Sequence, residues 1–289
     1  MRIALIADIH HGADRFTKNG TAALGLLADF AAWSNAAAPD LVVDLGDRIS
    51  DRDRAHDIAL ETEVVEALRA VEAPVFHICG NHDRDFLSVE DNEAILGQSL
   101  ASTTLDVGGW RIVLWRADSR IRRAQKDGMT GFVLPEADLL WLAGVIRAAD
   151  RPLAIFSHVP LSGHAQTGNY YFENNPGAST YPLGERIRAT LRAATVPVVC
   201  VAGHVHWNTL TTIDGIPHFT VQSLTETFTT HPAPAAAWAM LELDDQIALE
   251  VFGRDPFAAR LPAAARRWVT PLPRFADLPE SQARRHETP

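Results

Sequence analysis

The sequence predicts an α/β fold in which two sheets pack together. Short apolar runs rich in β-branched residues alternate with longer segments of helical period. These runs are apolar on both faces, as strands are when a sheet is covered on both sides. Other segments carry the turn signals of hairpins, which calls for a second sheet against the first.

In chain order, Ile3 to Ala7 reads as the first strand and residues 20–36 as a helix, followed by a strand at Leu41 to Asp44 and a helix over 54–71. A third strand covers Val75 to Cys79. Thr104 to Trp115, turning at Gly108-Gly109, reads as a hairpin. A helix over 135–149 opens on Pro135 and Glu136, since proline fits the first turn where no N–H is needed. Leu153 to Ser157 is the fourth strand, 184–194 a helix, and Val198 to Ala202 the fifth strand. Thr209 to Ser223, turning at Asp214-Gly215, and Ala237 to Phe252, turning at Asp244-Asp245, are two more hairpins. From Arg254 the chain is rich in Pro, Ala and Arg with little periodicity. The expected division is therefore a catalytic domain over 1–253 and a surface tail over 254–289.

The balance of 26 basic against 36 acidic residues, a formal charge of −10, lacks the footprint of a nonspecific nucleic-acid binder. An anionic substrate must be held by local positive charge. Cys79 and Cys200 both sit in apolar runs and read as small core residues, which suits a reducing compartment. The first apolar run is too short for a signal peptide and no stretch approaches the length of a membrane span, so a soluble cytoplasmic protein is expected.

The chemistry lies at the strand ends. Asp8 and His10 follow the first strand, Asp47 the second, Asn81 and His82 the third, His158 the fourth, and His204 and His206 the fifth. Ligands of open α/β sheets bind outside the carboxyl ends of the strands, so residues spread along the chain can meet there. Asp8/His10 and His204/His206 are spaced i, i+2, which aims both side chains of a pair to one side of an extended segment. Gly46, Gly80 and Gly203, each just before a ligand, allow a sharp turn. All donors are nitrogen or oxygen, which favours Mn, Fe, Zn, Co or Ni over a structural zinc or a cluster. A catalytic zinc takes about three protein ligands. The larger set here therefore implies two divalent ions sharing a carboxylate, and Asp47 is the choice for the bridge.

Asp8-Ile9-His10, Gly46-Asp47, Gly80-Asn81-His82-Asp83, His158 and Gly203-His204-Val205-His206 together resemble the signature of the calcineurin-like metallophosphoesterases. Within that superfamily the chain resembles the class III cyclic-nucleotide phosphodiesterases and bacterial glycerophosphodiesterases more than the protein Ser/Thr phosphatases, whose G-D-x-V-D-R-G element is absent. The resemblance implies a four-layer α/β/β/α sandwich of two mixed sheets flanked by helices. It also implies one ion on Asp8, His10, Asp47 and His206, a second on Asp47, Asn81, His158 and His204, and attack on phosphorus by a metal-bound hydroxide. His82, unligated, would contact the phosphate and protonate the leaving group, with Asp83 setting its charge and orientation.

Outside that signature, Arg48 is a candidate to pair with a phosphate oxygen. The loop after His158 is a candidate for substrate recognition through His164, Tyr170 and Tyr171, with an oligomer contact as the alternative. His11 and the charged run from Asp51 read as solvated, and His77 as a core histidine. The expected function is hydrolysis of a small organic phosphodiester. A phosphomonoesterase is the runner-up, since no arginine cluster marks the site beyond Arg48, and a noncatalytic scaffold comes third. The partner is a small-molecule phosphoester, with nucleic acid and membrane not expected and a homo-oligomer an analogy from relatives.

Overall fold

A computed structural model of the chain describes residues 1–123 and 130–265. In chain order its elements are β1 (Arg2–Ile6), α1 (Ala23–Ala37), β2 (Leu41–Asp44), α2 (Arg54–Leu68), β3 (Val75–His77), α3 (Val89–Leu96), β4 (Thr103–Val107) and β5 (Trp110–Leu114). There follow β6 (Ile121–Arg123), β7 (Thr130–Phe132), α4 (Glu136–Arg147), β8 (Leu153–Ser157), α5 (Tyr170–Glu173), α6 (Gly184–Arg192) and β9 (Val198–Ala202). The last are β10 (Thr209–Ile213), β11 (Ile216–Thr220), β12 (Trp238–Leu243), β13 (Gln246–Phe252) and β14 (Phe257–Pro262).

Two mixed six-stranded sheets result, in the orders β14-β13-β12-β1-β2-β3 and β10-β11-β9-β8-β5-β4. In the first, β1 runs parallel to β2 (Ile3 opposite Leu41) and β2 to β3, while β12 joins β1 antiparallel. In the second, β5, β8, β9 and β11 are parallel, with β4 and β10 antiparallel at the edges. Side-chain alternation divides each central strand between two cores. Ile3, Leu5 and Val43 meet Ile112, Phe156 and Val201 between the sheets. Ala4, Ile6 and Val42 face α1 and α2 through Leu27, Phe30 and Val64, and Val113, Ile155 and Cys200 face α4 and α6 through Leu142 and Ile187. The layers are therefore α/β/β/α, as expected. Fully buried side chains such as Leu5 and Phe156 contribute about 1.5–3 kcal/mol each through burial.

The five ligand-bearing strands, expected in one sheet, are divided: β1–β3 lie in the first and β8–β9 in the second. Either sheet has one face on the inner core and one under helices, so both demand the same doubly apolar pattern. Residues 257–262, expected in an aperiodic tail, form the edge strand β14 on β13. Its alternating half-buried and exposed residues are those of an edge with one covered face. The remainder of that expected tail, 266–289, lies outside the described residues. The helix α3, not anticipated, begins with a reciprocal cap between Ser88 and Asp91 and ends at Gly97 in the left-handed region. No helix among the described residues is long and apolar enough to cross a membrane.

Candidate metal centre

The loops after β1, β2, β3, β8 and β9 meet at one place between the two sheets, and the chain there is held under strain. Asp8, His10, Asp47, His204 and His206 all have positive φ, between 47° and 70°. For residues with a Cβ that region costs on the order of 1–3 kcal/mol each and is kept only where surrounding bonds impose it. Here they do. Asp8 N–H donates to Gly46 O at 2.9 Å, His10 N–H to Asp47 O at 3.0 Å, Ser223 Oγ to Asp8 O at 2.6 Å, and His204 N–H to the Asp8 carboxylate at 2.9 Å. Gly46 turns as expected, with φ of 97°. Gly80 is needed for another reason: a Cβ there would lie 2.1 Å from Asp47 Oδ1.

The donors converge in two groups, Asp8/His10/Asp47/His206 and Asp47/His158/His204, each with ligand atoms within 4.8 Å of one another. Asp47 belongs to both. His10 Nε2 is 3.0 Å from His206 Nε2 and 3.8 Å from Asp47 Oδ2, and His206 Nε2 is 3.4 Å from Asp8 Oδ1. In the second group His158 Nε2 is 3.5 Å from Asp47 Oδ2 and 3.3 Å from Asn81 Oδ1. Such separations suit atoms sharing one ion at bonds of about 2.0–2.2 Å.

The outward nitrogens confirm the fit. His158 Nδ1–H donates to Leu45 O at 2.9 Å, His206 Nδ1–H to Glu226 at 2.8 Å, and His204 Nε2–H to Ala178 O at 2.7 Å. Each bond fixes the tautomer and turns the other nitrogen inward as a lone pair. His204 Nδ1 is thereby left buried without a hydrogen-bond partner, a lone pair that a metal ion would satisfy.

Electrostatics follow from burial and charge. Desolvation alone would lower His158 and His206, but Asp47 beside the first, and Asp8 and Glu226 beside the second, push each up to about 9. His204, desolvated and next to His158, falls to about 3, and His10, desolvated and near Lys18 and His206, is lowered as well. Burial works against ionised Asp47, yet His158, His82 and His10 around it hold its carboxyl well below the usual range.

Two expected roles are corrected. Arg48 touches no substrate space, because it is fully buried. Its guanidinium donates to Glu61 at 2.6 Å, to Asp44 at 2.8 Å and to Ile78 O at 2.8 Å, and it pairs with Asp83 at 3.3 Å. Asp83 does not orient His82. Its carboxylate accepts the N–H groups of Asp47, Arg48 and Gly80, each at 2.8 Å, binding the β2 and β3 loops together. The residue that holds His82 is Asp51, which accepts from His82 Nδ1 and was read as part of a solvated run. His77 is the core histidine expected, bonded to Asp44 at 2.9 Å.

The loop after His158 buttresses the site through Phe172 rather than through its tyrosines. Buried Phe172 lies 5.4 Å and 5.8 Å, ring to ring, from His204 and His206. Tyr170 and Tyr171 are exposed, packing on Phe228 and Phe172, and His164 is exposed on the same loop. Lys18 and Glu226 were not anticipated. Lys18 Nζ stands 3.5 Å from both His10 Nδ1 and His82 Nε2. Glu226 follows β11, so the strand-end rule that points to the candidate ligands reaches this outer partner of His206 too.

The fold is similar to that of a dimetal phosphatase from Danio rerio, with a TM-score of 0.73 and 19% identity over 91% of this chain and 99% of that one. It is also similar to a purple acid phosphatase from yellow lupin (TM-score 0.58, 15% identity, 89% of this chain and 53% of that one). GAP50, the anchor in the inner membrane complex of Plasmodium, shares the fold as well (TM-score 0.56, 13% identity, 92% and 90%). A comparison with the curated proteins finds no match at the level of sequence. The model of the calcineurin-like phosphoesterase family matches residues 1–208, the span that contains both ligand groups, and the chain belongs to that family.

Proposed function

We propose that this phosphoesterase hydrolyses small organic phosphodiesters with two divalent ions, manganese, iron or zinc, held by Asp8, His10, Asp47, Asn81, His158, His204 and His206. The observation that carries this reading is the pair of ligand groups sharing Asp47. Bound ions at such a site supply Lewis acidity toward phosphoryl oxygens and make water a nucleophile at neutral pH. The chain's own residues do the rest. Asp47 holds the two positions at a fixed separation, the anchored imidazoles keep their inner nitrogens aimed without reorganisation, and Asn81 adds an amide oxygen. His82, half-buried at the edge, keeps Nδ1–H on Asp51 and presents Nε2 toward the substrate space, where a proton it carries passes to the leaving oxygen.

The withdrawal of Arg48 into the interior supports a diester, because a monoester brings a second charge that arginine would otherwise meet. One observation favours the second reading, a phosphomonoesterase: the ammonium of Lys18 beside His82. The exposed Tyr170, Tyr171 and His164 of the loop after His158 remain proposed substrate contacts in either reading. The two free cysteines suit a reducing cytoplasm.

The test offers manganese-loaded protein bis(p-nitrophenyl) phosphate and p-nitrophenyl phosphate and compares kcat/KM. Faster diester cleavage is expected. Faster monoester cleavage establishes the second reading, and metal-independent or absent turnover of both removes the hydrolase reading.

A further inference from the structure

We infer that Lys18 is a substrate-binding residue whose ammonium contacts a phosphoryl oxygen of the substrate beside His82, an inference that rests on the phosphoester reading above. The backbone places it firmly. Arg15 and Lys18 exchange N–H···O bonds of 3.0 Å and 2.8 Å across a tight turn, Lys18 bridges to Glu226, and Asn19 N–H donates to Thr225 O at 3.0 Å. The side chain then reaches inward to end 3.5 Å from His10 Nδ1 and 3.5 Å from His82 Nε2.

What sets this lysine apart is the direct ion pair it lacks. The other cationic groups at the site have carboxylates in contact: Arg48 has Asp44, Glu61 and Asp83, His82 has Asp51, and His206 has Glu226 and Asp8. Among the described residues no carboxylate forms an ion pair with Lys18 Nζ within 4.0 Å; Asp47, Glu226, Asp8 and Asp51 act on the half-buried side chain from further away. A desolvated ammonium whose anions stand back keeps donor capacity for an incoming acceptor.

The chemistry of His10 sharpens the point. Its Nε2 faces His206 and Asp47, the side of the first ligand group, so a ligating His10 carries its hydrogen on Nδ1. That N–H and the ammonium of Lys18 are then two donors facing each other, and an acceptor that both can reach satisfies them together. Two divalent ions would balance the carboxylates of Asp8, Asp47, Asp51 and Glu226, leaving the ammonium of Lys18 as positive charge that favours an anionic acceptor. Next to His82 that acceptor is a non-bridging phosphoryl oxygen.

The experiment titrates inorganic phosphate into manganese-loaded protein by calorimetry, with wild type, Lys18→Met, Lys18→Gln and Lys18→Arg compared at equal metal content and after checking Tm. Loss of one charge-assisted contact should weaken phosphate binding by roughly tenfold to a hundredfold in the Met and Gln variants, with Arg restoring most of it. Binding within about twofold of wild type in both neutral variants overturns the inference. So does loss of manganese in step with loss of phosphate, which would make Lys18 a positioning residue for His10. Should wild type bind phosphate in a Lys18-dependent way yet hydrolyse no ester, the anion contact stands and the hydrolase reading fails.

Discussion

Asp47 is shared by both ligand groups, and Asp47→Ala leaves neither complete. Bound manganese, measured by plasma mass spectrometry, should fall in this variant and metal-dependent turnover should disappear. Retention of both ions would remove Asp47 as the bridge. The outward partners act more gently. Glu226→Gln keeps the shape beside His206 but removes the charge that holds its Nδ1–H, and metal affinity should fall by roughly 10–100-fold. Asp51→Asn should lower kcat by a similar factor of roughly 10–100 with metal content unchanged, because it loosens His82 and no ligand. The candidate ligands were legible because each follows an apolar strand within a short local pattern. Lys18 and Asp51 were not, since nothing in their local sequence separates a charge that points into a site from one that points into water.

At the scale of elements, Arg48 is the knot that joins β2, β3, α2 and α3. It reaches Asp44 at the end of β2, Ile78 O after β3, Glu61 in α2 and Asn92 in α3. Arg48→Met would strand three carboxylates in the interior. A loss of about 3–5 kcal/mol is expected in urea unfolding of the ion-free protein, and a loss under about 1 kcal/mol would contradict the knot. The same cluster sets a pH dependence. Burial raises Glu61 from 4.5 to about 8, against the pull of Arg48. A carboxyl that keeps its proton when folded but loses it when unfolded contributes stability below pH 4.5 that is lost as pH rises toward 8. Glu61→Gln should therefore flatten the decline of unfolding free energy across that interval, and an unchanged slope would show that Glu61 is ionised throughout. Arg48 looked available to substrate because a sequence shows only its place after Asp47. Burial was decided by two helices that pack there.

For the molecule as a whole, metal binding at these residues would be linked to folding through protons. In the ion-free protein His158 and His206, each near 9 against 6.5 when unfolded, contribute stability that is present below pH 6.5 and lost as pH rises through 9. Ions require both rings neutral, so binding near pH 7.5 should release protons, and the Tm gap between manganese-loaded and chelated protein should widen from pH 6.5 to pH 9. Calorimetry in buffers of different ionisation enthalpy measures the release; none at pH 7.5 would contradict the raised values. By itself the sequence determined the α/β class, most elements and the candidate ligands, because hydrophobic period and strand-end motifs are local and survive in one dimension. Only the tertiary structure decided that β1–β3 and β8–β9 belong to different sheets, that β14 closes an edge, and that Asp83 binds loops while Asp51 holds His82. Those outcomes depend on which face of a doubly apolar strand meets which neighbour and on which distant charges share a desolvated space, and neither is set by local sequence.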